Sequence, residues 1–120
     1  MIDSHIIKIT KNSKFNVSRE TLKELDDFSQ EIISKNKVIN LISKSTEKAI
    51  YSRHINDTAQ TIDLIDKNDI NVCTDLGSGA GLPGIVLGIL MKSKKPLFKI
   101  ILYEKSYHKS VFLREMSKKF

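Results

Sequence analysis

A glycine-rich stretch at residues 75–84, DLGSGAGLPG, carries the residue types best suited to chemistry in this chain. Asp75 supplies a carboxylate, and the glycines allow the backbone to turn tightly and to approach a ligand closely. Gly79, Gly81 and Gly84 also match the GxGxxG pattern of dinucleotide-binding proteins, and Glu104 follows Gly84 by 20 residues. The stretch therefore predicts a site for a nucleotide-like cofactor.

Two classes of cofactor fit this pattern. A dinucleotide fingerprint runs straight from an apolar strand into its first glycine, whereas here Asp75 stands at the predicted strand end and Gly77 follows two positions later. An acidic residue at that point suits the amino group of a methionine moiety, which favours S-adenosylmethionine. In this interpretation the glycine loop passes under the cofactor, and Glu104 accepts hydrogen bonds from the ribose hydroxyls. A site for NAD or a flavin nucleotide is the alternative.

The glycine-rich stretch lies between a predicted strand and a predicted helix. Apolar residues within 72–76 indicate a short buried strand, and the apolar residues after Pro83 indicate the helix. A second apolar run at residues 97–102 predicts another buried strand, which ends beside Glu104. A strand, a crossover helix and a strand in this order imply parallel pairing in an open α/β sheet. Ligands bind such sheets at the carboxyl ends of the strands, where the glycines and Glu104 both fall.

Helices are expected on both sides of this unit. Ser18 is the predicted N-cap of an amphipathic helix, and hydroxyl side chains at the end of the polar break 40–45 predict a second helical segment, broken once. Ser106 is the predicted cap of a last helix. Residues 1–17 are weakly patterned, so we expect an irregular or mobile lead-in. We expect one domain at 18–120, built from amino-terminal helices followed by β-α-β-α.

The net charge of +6 is concentrated near the end of the sequence. Residues 92–120 contain nine basic and two acidic side chains, whereas residues 1–91 contain 11 basic and 12 acidic ones. One-sided positive charge is typical of proteins that bind polyanions. A solvated lysine-rich face explains the charge equally well.

The remaining composition narrows the class of protein. The single cysteine, Cys73, excludes a disulfide framework and a cysteine metal site, and we interpret it as a small core residue. There is no run of about 18 apolar residues, and the first residues lack the apolar segment of a signal peptide. We therefore expect a soluble, cytoplasmic protein with no membrane contact and no metal.

Four motifs carry a resemblance to a known family: NLIS at 40–43, RHINDT at 53–58, DLGSGAGLPGIVL at 75–87 and KSVFLREM at 109–116. Together they resemble the bacterial methyltransferases that form 7-methylguanosine in 16S ribosomal RNA, also called glucose-inhibited division protein B. The GLPG ending is more specific than the glycine loop, because most class I methyltransferases lack it. The family pattern is usually Arg-His-x-x-Asp-Ser, and Thr58 here replaces the serine while keeping a hydroxyl.

The resemblance implies a Rossmann-like class I methyltransferase that transfers a methyl group from S-adenosylmethionine to guanine N7. Gly77 and Leu82 fall where the family contacts the cofactor, and Glu104 falls where the ribose lies. The expected cofactor-binding residues are Asp75, Gly77, Ser78, Gly79, Gly81, Leu82 and Glu104.

The resemblance also implies a role for the RHINDT motif. His54 and Asp57 look like the pair that lines the family's site, with Arg53 beside them, whereas without the resemblance they would be a surface histidine and a solvated carboxylate. Guanine N7 is already a nucleophilic lone pair, so we expect positioning rather than acid–base chemistry to dominate catalysis. The basic segment 92–120 is expected to hold phosphates of the 16S RNA or the 30S subunit.

The resemblance covers residues 18–120 and then ends, whereas family members continue through further strands. We therefore expect an incomplete sheet in a truncated or split form of the enzyme, which needs a missing carboxyl-terminal half for activity. The open sheet edge is expected to pair with that half or with a second copy of the chain. A non-catalytic fragment that binds cofactor or RNA, or one that binds NAD or a flavin nucleotide, is the alternative.

Overall fold

The computed structural model describes residues 17–120, apart from the side chains of Tyr51, Ser52, Asp63 and Lys67. The predicted lead-in, residues 1–17, lies outside this range except for Val17. In chain order the elements are α1 (Arg19–Asn36), α2 (Lys44–Lys48), a π-helical segment (Ile50–Ile55), α3 (Asn56–Lys67), β1 (Val72–Leu76), α4 (Gly84–Met91), β2 (Lys99–Tyr103) and α5 (Tyr107–Lys119). The predicted order, helices followed by β-α-β-α, is confirmed.

Serine residues are the N-caps of three of these helices. Ser18, Ser43 and Ser106 precede α1, α2 and α5, and each accepts a hydrogen bond from the backbone N–H three residues later. The donor–acceptor distances are 3.1 Å for Ser18 and Ser43 and 3.5 Å for Ser106. These bonds satisfy N–H groups that a helix leaves without an internal partner. The predicted single break in the second helical stretch is also confirmed, because it falls at Ala49, between α2 and the π-helical segment.

Helix α4 is the centre of the core. All of its residues except Gly88 are buried, so it has no polar face and must be covered on several sides. Helices α1 and α3 pack on α4, β2 packs on it as well, and α5 joins it beside the sheet. Phe28 and Ile32 of α1 and Phe112 of α5 are fully or almost fully buried in the same apolar cluster. The amino-terminal helices are thereby held next to the loop that precedes α4.

The two strands form a parallel pair, as predicted. Val72 lies opposite Lys99 and Leu76 lies opposite Tyr103, so both strands end at the same edge. Among the described residues the sheet has only these two strands. The glycine-rich loop after β1 and Glu104 after β2 consequently start from neighbouring positions.

The prediction that both strands are buried is wrong for one face of the sheet. Cys73 and Ile100 pack against the core, but Val72 is 49% exposed, Leu76 is 77% exposed and Tyr103 is 57% exposed. A nearly continuous apolar strand predicts helices on both faces. In the part of the chain that the structure describes, helices cover one face only, and the other face remains open.

Candidate functional site

The glycine-rich loop is fastened to the end of β2 by two backbone hydrogen bonds. The N–H groups of Gly77 and Ser78 both donate to the carbonyl oxygen of Tyr103, each at 2.9 Å. Because Tyr103 is the last residue of β2, these bonds place the start of the loop beside the backbone that leads into Glu104. The two predicted cofactor-binding segments therefore meet through backbone contacts.

Two glycines of this loop face open space. Gly77 and Gly79 have φ angles of 73° and 55°, which L side chains rarely adopt. A Cβ atom added at either position would have no heavy atom within 4 Å. Nothing in the fold itself therefore requires the absence of a side chain there, apart from the backbone conformation. The space above this backbone is free for a ligand.

The other predicted loop residues are turned toward the protein. The side chain of Ser78 is 1% exposed, and its hydroxyl donates to the carbonyl oxygen of Asp75 at 3.0 Å. A Cβ at Gly81 would lie 2.6 Å from Cγ1 of Ile85. Leu82 packs partly against the apolar core. These residues stabilise the loop through contacts with the protein interior, and their contact with a cofactor stays a prediction.

The carboxylate of Asp75 joins β1 to the start of α4. Its Oδ2 accepts a hydrogen bond from the backbone N–H of Gly84 at 3.2 Å. A negative charge at this position also interacts favourably with the helix dipole. Within residues 17–120, the second oxygen, Oδ1, accepts no hydrogen bond and remains able to accept one from an ammonium group. Asp75 thus has a structural role that the sequence interpretation missed, beside its predicted role.

An open cleft of about 770 Å³ lies where the two strands end. Its lining residues are Gly77, Tyr103, Glu104, Lys105 and Ser106. The volume lies within the range of about 300 to 1,000 Å³ that is usual for small-molecule sites. Glu104 is half-buried here, and its carboxylate is an acceptor for two hydroxyl groups. The structure therefore brings Gly77 and Glu104 to one cleft, as their sequence positions predict.

The RHINDT motif lies at a second, smaller cavity. His54, Asp57, Thr58 and Thr61 line one side of it, and Pro83 and Leu87 line the other, around a volume of about 240 Å³. Arg53 is exposed and does not line this cavity. The structure thus brings His54 and Asp57 together, at the far end of the glycine-rich loop from Gly77, and leaves Arg53 outside.

The backbone around His54 is unusual. Residues Ile50–Ile55 form a π-helical turn that runs directly into α3. π-helical turns are rare in proteins, and those that occur frequently lie at functional sites. Thr58 is 3% exposed, and its hydroxyl donates to the carbonyl oxygen of His54 at 2.7 Å. The Thr58 hydroxyl therefore stabilises the backbone at His54.

One residue that positions this region was missed by the sequence interpretation. Asn36 ends α1, and its side-chain oxygen accepts hydrogen bonds from the N–H groups of Leu41 and Ile42 at 3.0 and 3.1 Å. Its amide nitrogen donates to Glu47 of α2 at 2.8 Å. Asparagine side chains often bond nearby backbone groups, so an asparagine at a helix end was the available signal. Asn36 folds the NLIS turn and orients α2 ahead of the π-helical segment.

Ion pairs occupy four of the nine basic residues at 92–120. The pairs are Lys92 with Glu24 at 2.7 Å, Lys94 with Asp66 at 3.2 Å, Lys95 with Asp69 at 3.1 Å, and Lys119 with Glu31. Among the described residues, Lys99, Lys105, Lys109, Arg114 and Lys118 form no ion pair. Lys105 lies in the cleft, and Arg114 and Lys118 line a groove beside β2. The unpaired positive charge therefore extends from the cleft along α5.

Residues 17–120 contain neither a metal-binding cluster nor a membrane-spanning helix. No group of three or more histidine, cysteine or acidic side chains is arranged to hold a metal ion there. No helix in the same range combines the length and the apolar character needed to cross a membrane.

Comparison with known proteins identifies the family. The model of the rRNA small subunit methyltransferase G family matches residues 21–120, which includes the loop, the cleft and the RHINDT motif. The chain belongs to this methyltransferase family. No solved structure matches the chain significantly.

Individual members of the rRNA small subunit methyltransferase G family align over most of the chain. The Ribosomal RNA small subunit methyltransferase G of Pelagibacter ubique is 51% identical over 105 residues, which are 86% of this chain and 49% of that protein. The protein of the same name from Cereibacter sphaeroides is 44% identical over 99 residues, 82% of this chain and 47% of its own length. That from Bartonella henselae is 48% identical over 98 residues, 82% of this chain and 44% of its own length. The chain thus spans about half the length of these relatives.

Proposed function

We propose that this chain is the cofactor-binding half of an S-adenosylmethionine-dependent methyltransferase that acts on guanine N7 in the 16S ribosomal RNA of the small subunit. The observation that carries the proposal is the single cleft formed by Gly77 and Glu104 at the ends of two paired parallel strands. The names of the relatives support the reaction and the ribosomal substrate. Because that substrate is part of the ribosome, the proposed place of action is the cytoplasm.

The residues of the cleft fit the proposed cofactor. Glu104 would hold the ribose hydroxyls, and the backbone of Gly77 and Gly79 would pass beneath the methionine moiety. Asp75 would bind the ammonium group through Oδ1, since its Oδ2 is already bonded to Gly84. When bound, S-adenosylmethionine supplies a methyl group activated by the sulfonium. The protein then needs only to orient a nucleophilic nitrogen and exclude water, so we attribute its catalysis to positioning.

Titration calorimetry of the 120-residue chain with S-adenosylmethionine, S-adenosylhomocysteine and NAD tests the cofactor. We expect binding of the first two and none of NAD. Preferential binding of NAD would overturn the methyltransferase proposal in favour of a dinucleotide-binding fragment, because the GxGxxG spacing fits both cofactors.

We also propose that RNA lies along α5. The side chains of Lys105, Lys109, Arg114 and Lys118 supply positive charge that is not used in internal ion pairs of the described residues. Each such contact with an RNA phosphate should contribute about 0.7 to the salt dependence of binding. Substituting Arg114 by alanine should therefore reduce the slope of log K against log salt by about 0.7, whereas substituting the ion-paired Lys94 should leave the slope unchanged. Equal slopes for both variants would contradict this surface.

We finally propose that the open face and edges of the sheet belong to a larger Rossmann-like sheet. Val72, Leu76, Ile101 and Tyr103 expose apolar surface, and apolar parallel strands are normally covered on both faces. The occupant would be a carboxyl-terminal half like that of the relatives or a second copy of the chain. Formation of 7-methylguanosine on 30S subunits should be absent or low with the chain alone and appear when such a half is added. No product in the completed mixture would count against the enzyme.

A further inference from the structure

The cavity between α3 and the glycine-rich loop, which we call the His54 cavity, has two unlike walls. One wall carries His54, Asp57 and Thr61, which recur at helical spacing. The other wall is formed by Pro83 and Leu87. At about 240 Å³ the cavity is smaller than the usual range for a whole small-molecule ligand. An apolar wall facing polar groups suits one flat heterocycle that is stacked on one side and hydrogen-bonded at its rim.

The polar groups of the cavity are available for a ligand. Among the described residues, the side chains of His54 and Asp57 form no hydrogen bond or ion pair with the protein. By contrast, the hydroxyls of Thr58 and Thr61 already donate to backbone carbonyl oxygens, at 2.7 Å each. The cavity therefore offers one carboxylate, which only accepts hydrogen bonds, and one imidazole, which can donate.

This pair complements the Watson–Crick edge of guanine. That edge presents two adjacent donors, N1–H and the N2 amino group, next to the acceptor O6. A carboxylate binds two adjacent donors in a bidentate manner, and no other standard base has them side by side in this order. Resting on the proposed methyltransferase function, we infer that the His54 cavity selects the target guanine, with Asp57 accepting from N1–H and N2–H and His54 donating to O6.

This assignment agrees with the position of the reactive atom. Guanine N7 lies on the Hoogsteen edge, away from N1 and N2, so a base held through its Watson–Crick edge keeps the N7 lone pair free. Bases that are unstacked from folded RNA are commonly read in this way. The other end of the same loop forms the cleft with Glu104. Asp57 is thus a specificity residue for the substrate, separate from the residues proposed for the cofactor.

The test uses nucleoside monophosphates and the 120-residue chain, with binding followed by saturation-transfer NMR. GMP should bind at least tenfold more tightly than AMP, which lacks both donors, and more tightly than IMP, which lacks the N2 amino group. The variant Asp57→Asn should weaken GMP about tenfold or more. It should also bind XMP better than GMP, because the asparagine amide can donate to the O2 that replaces the N2 amino group.

The matched control is Asp66→Asn, on the same helix but paired with Lys94 and outside the cavity, which should bind GMP like the original chain. Equal binding of GMP and AMP by the original chain, or unchanged GMP binding by Asp57→Asn, would overturn the inference. Circular dichroism of both variants checks folding. S-adenosylmethionine binding, measured in the same samples, distinguishes this inference from the proposed function. If the original chain binds the cofactor but does not prefer GMP, only the role of the His54 cavity is refuted. If the original chain neither binds the cofactor nor prefers GMP, the proposed function is refuted.

Discussion

Replacing Gly84 by alanine tests how closely α4 is seated against the end of the sheet. The added Cβ would lie 2.7 Å from Oδ2 of Asp75 and still closer to Cδ2 of Leu102. Both atoms end short, half-buried side chains, and the Asp75 carboxylate is held by its hydrogen bond to Gly84, so relief requires a change of side-chain conformation or a shift of the strand or the helix. Overpacking of this kind costs about 1 to 3 kcal/mol. Displacing the Asp75 carboxylate also weakens its hydrogen bond with the Gly84 N–H, which is 3.2 Å long.

The two effects share Asp75 and therefore do not simply add. We expect Gly84→Ala to lower the free energy of unfolding by about 2 to 3 kcal/mol, with the larger part from overpacking. For a chain of this length that corresponds to a decrease in Tm of roughly 8 to 12 °C.

Gly88, one helical turn later, is the matched control. A Cβ there would meet only Cγ1 of Ile100, at 3.9 Å, which is an ordinary contact. Alanine is favoured over glycine in a helix interior by about 0.5 to 1 kcal/mol, so Gly88→Ala should raise the stability by that amount. Urea and thermal denaturation followed by circular dichroism measure both variants. A Gly84→Ala protein as stable as the original, or a loss of similar size in Gly88→Ala, would refute the reasoning.

Three further predictions concern the cleft and the packing of α1. Glu104→Ala should weaken S-adenosylmethionine binding about tenfold to a hundredfold in calorimetry, because hydrogen bonds to a charged group are lost. Glu115 is exposed on α5, so Glu115→Ala should leave the binding unchanged, and equal effects of the two variants would exclude Glu104 from the site. Gly77→Ala should lower the free energy of unfolding by about 1 to 2 kcal/mol, because the φ angle of 73° is unfavourable for alanine. It should also weaken cofactor binding, since the added Cβ enters the open cleft, and cofactor binding equal to that of the original chain would contradict this placement. Lys92→Met removes an ion pair in which Nζ lies 2.7 and 2.9 Å from the two carboxylate oxygens of Glu24. It should lower the free energy of unfolding by about 1 kcal/mol or less, because both groups are partly exposed. In urea denaturation this loss of stability should shrink at high salt, and a loss independent of salt would indicate packing instead.

Local features of the structure follow closely from the sequence. Ser18 and Ser106 could be assigned as caps from their positions, because a serine hydroxyl at the start of a helix reaches the N–H three residues later. For the second helical segment the sequence predicted only that a hydroxyl near the end of the break 40–45 is the cap, and the structure identifies it as that of Ser43. The order of strands and helices follows in the same way from apolar periodicity. Parallel pairing follows as well, because a strand, a helix and a strand in sequence return in the same direction.

The burial of the strands could not be predicted in this way. An apolar run predicts that something covers both faces, but it does not name what covers them. The exposed Leu76 and Tyr103 reveal that helices from residues 17–120 reach one face only. The ion pairs of the basic segment could not be predicted either. The charge of this segment is visible in the sequence, but Lys92 pairs with Glu24, which lies 68 positions away, so the partner is known only from the structure.

The sequence by itself determined that a loop with glycines at positive φ follows a strand, because only glycine adopts those angles readily. It also determined that Glu104 follows the next strand. Only the tertiary structure decided which atoms of these segments face open space and which are buried. The register of β1 and β2 brings Gly77 to the carbonyl of Tyr103, burial turns the Ser78 hydroxyl inward, and the packing of α3 on α4 places the RHINDT motif at a cavity of its own. Residues distant in sequence meet through packing, and packing depends on the whole core rather than on any one motif.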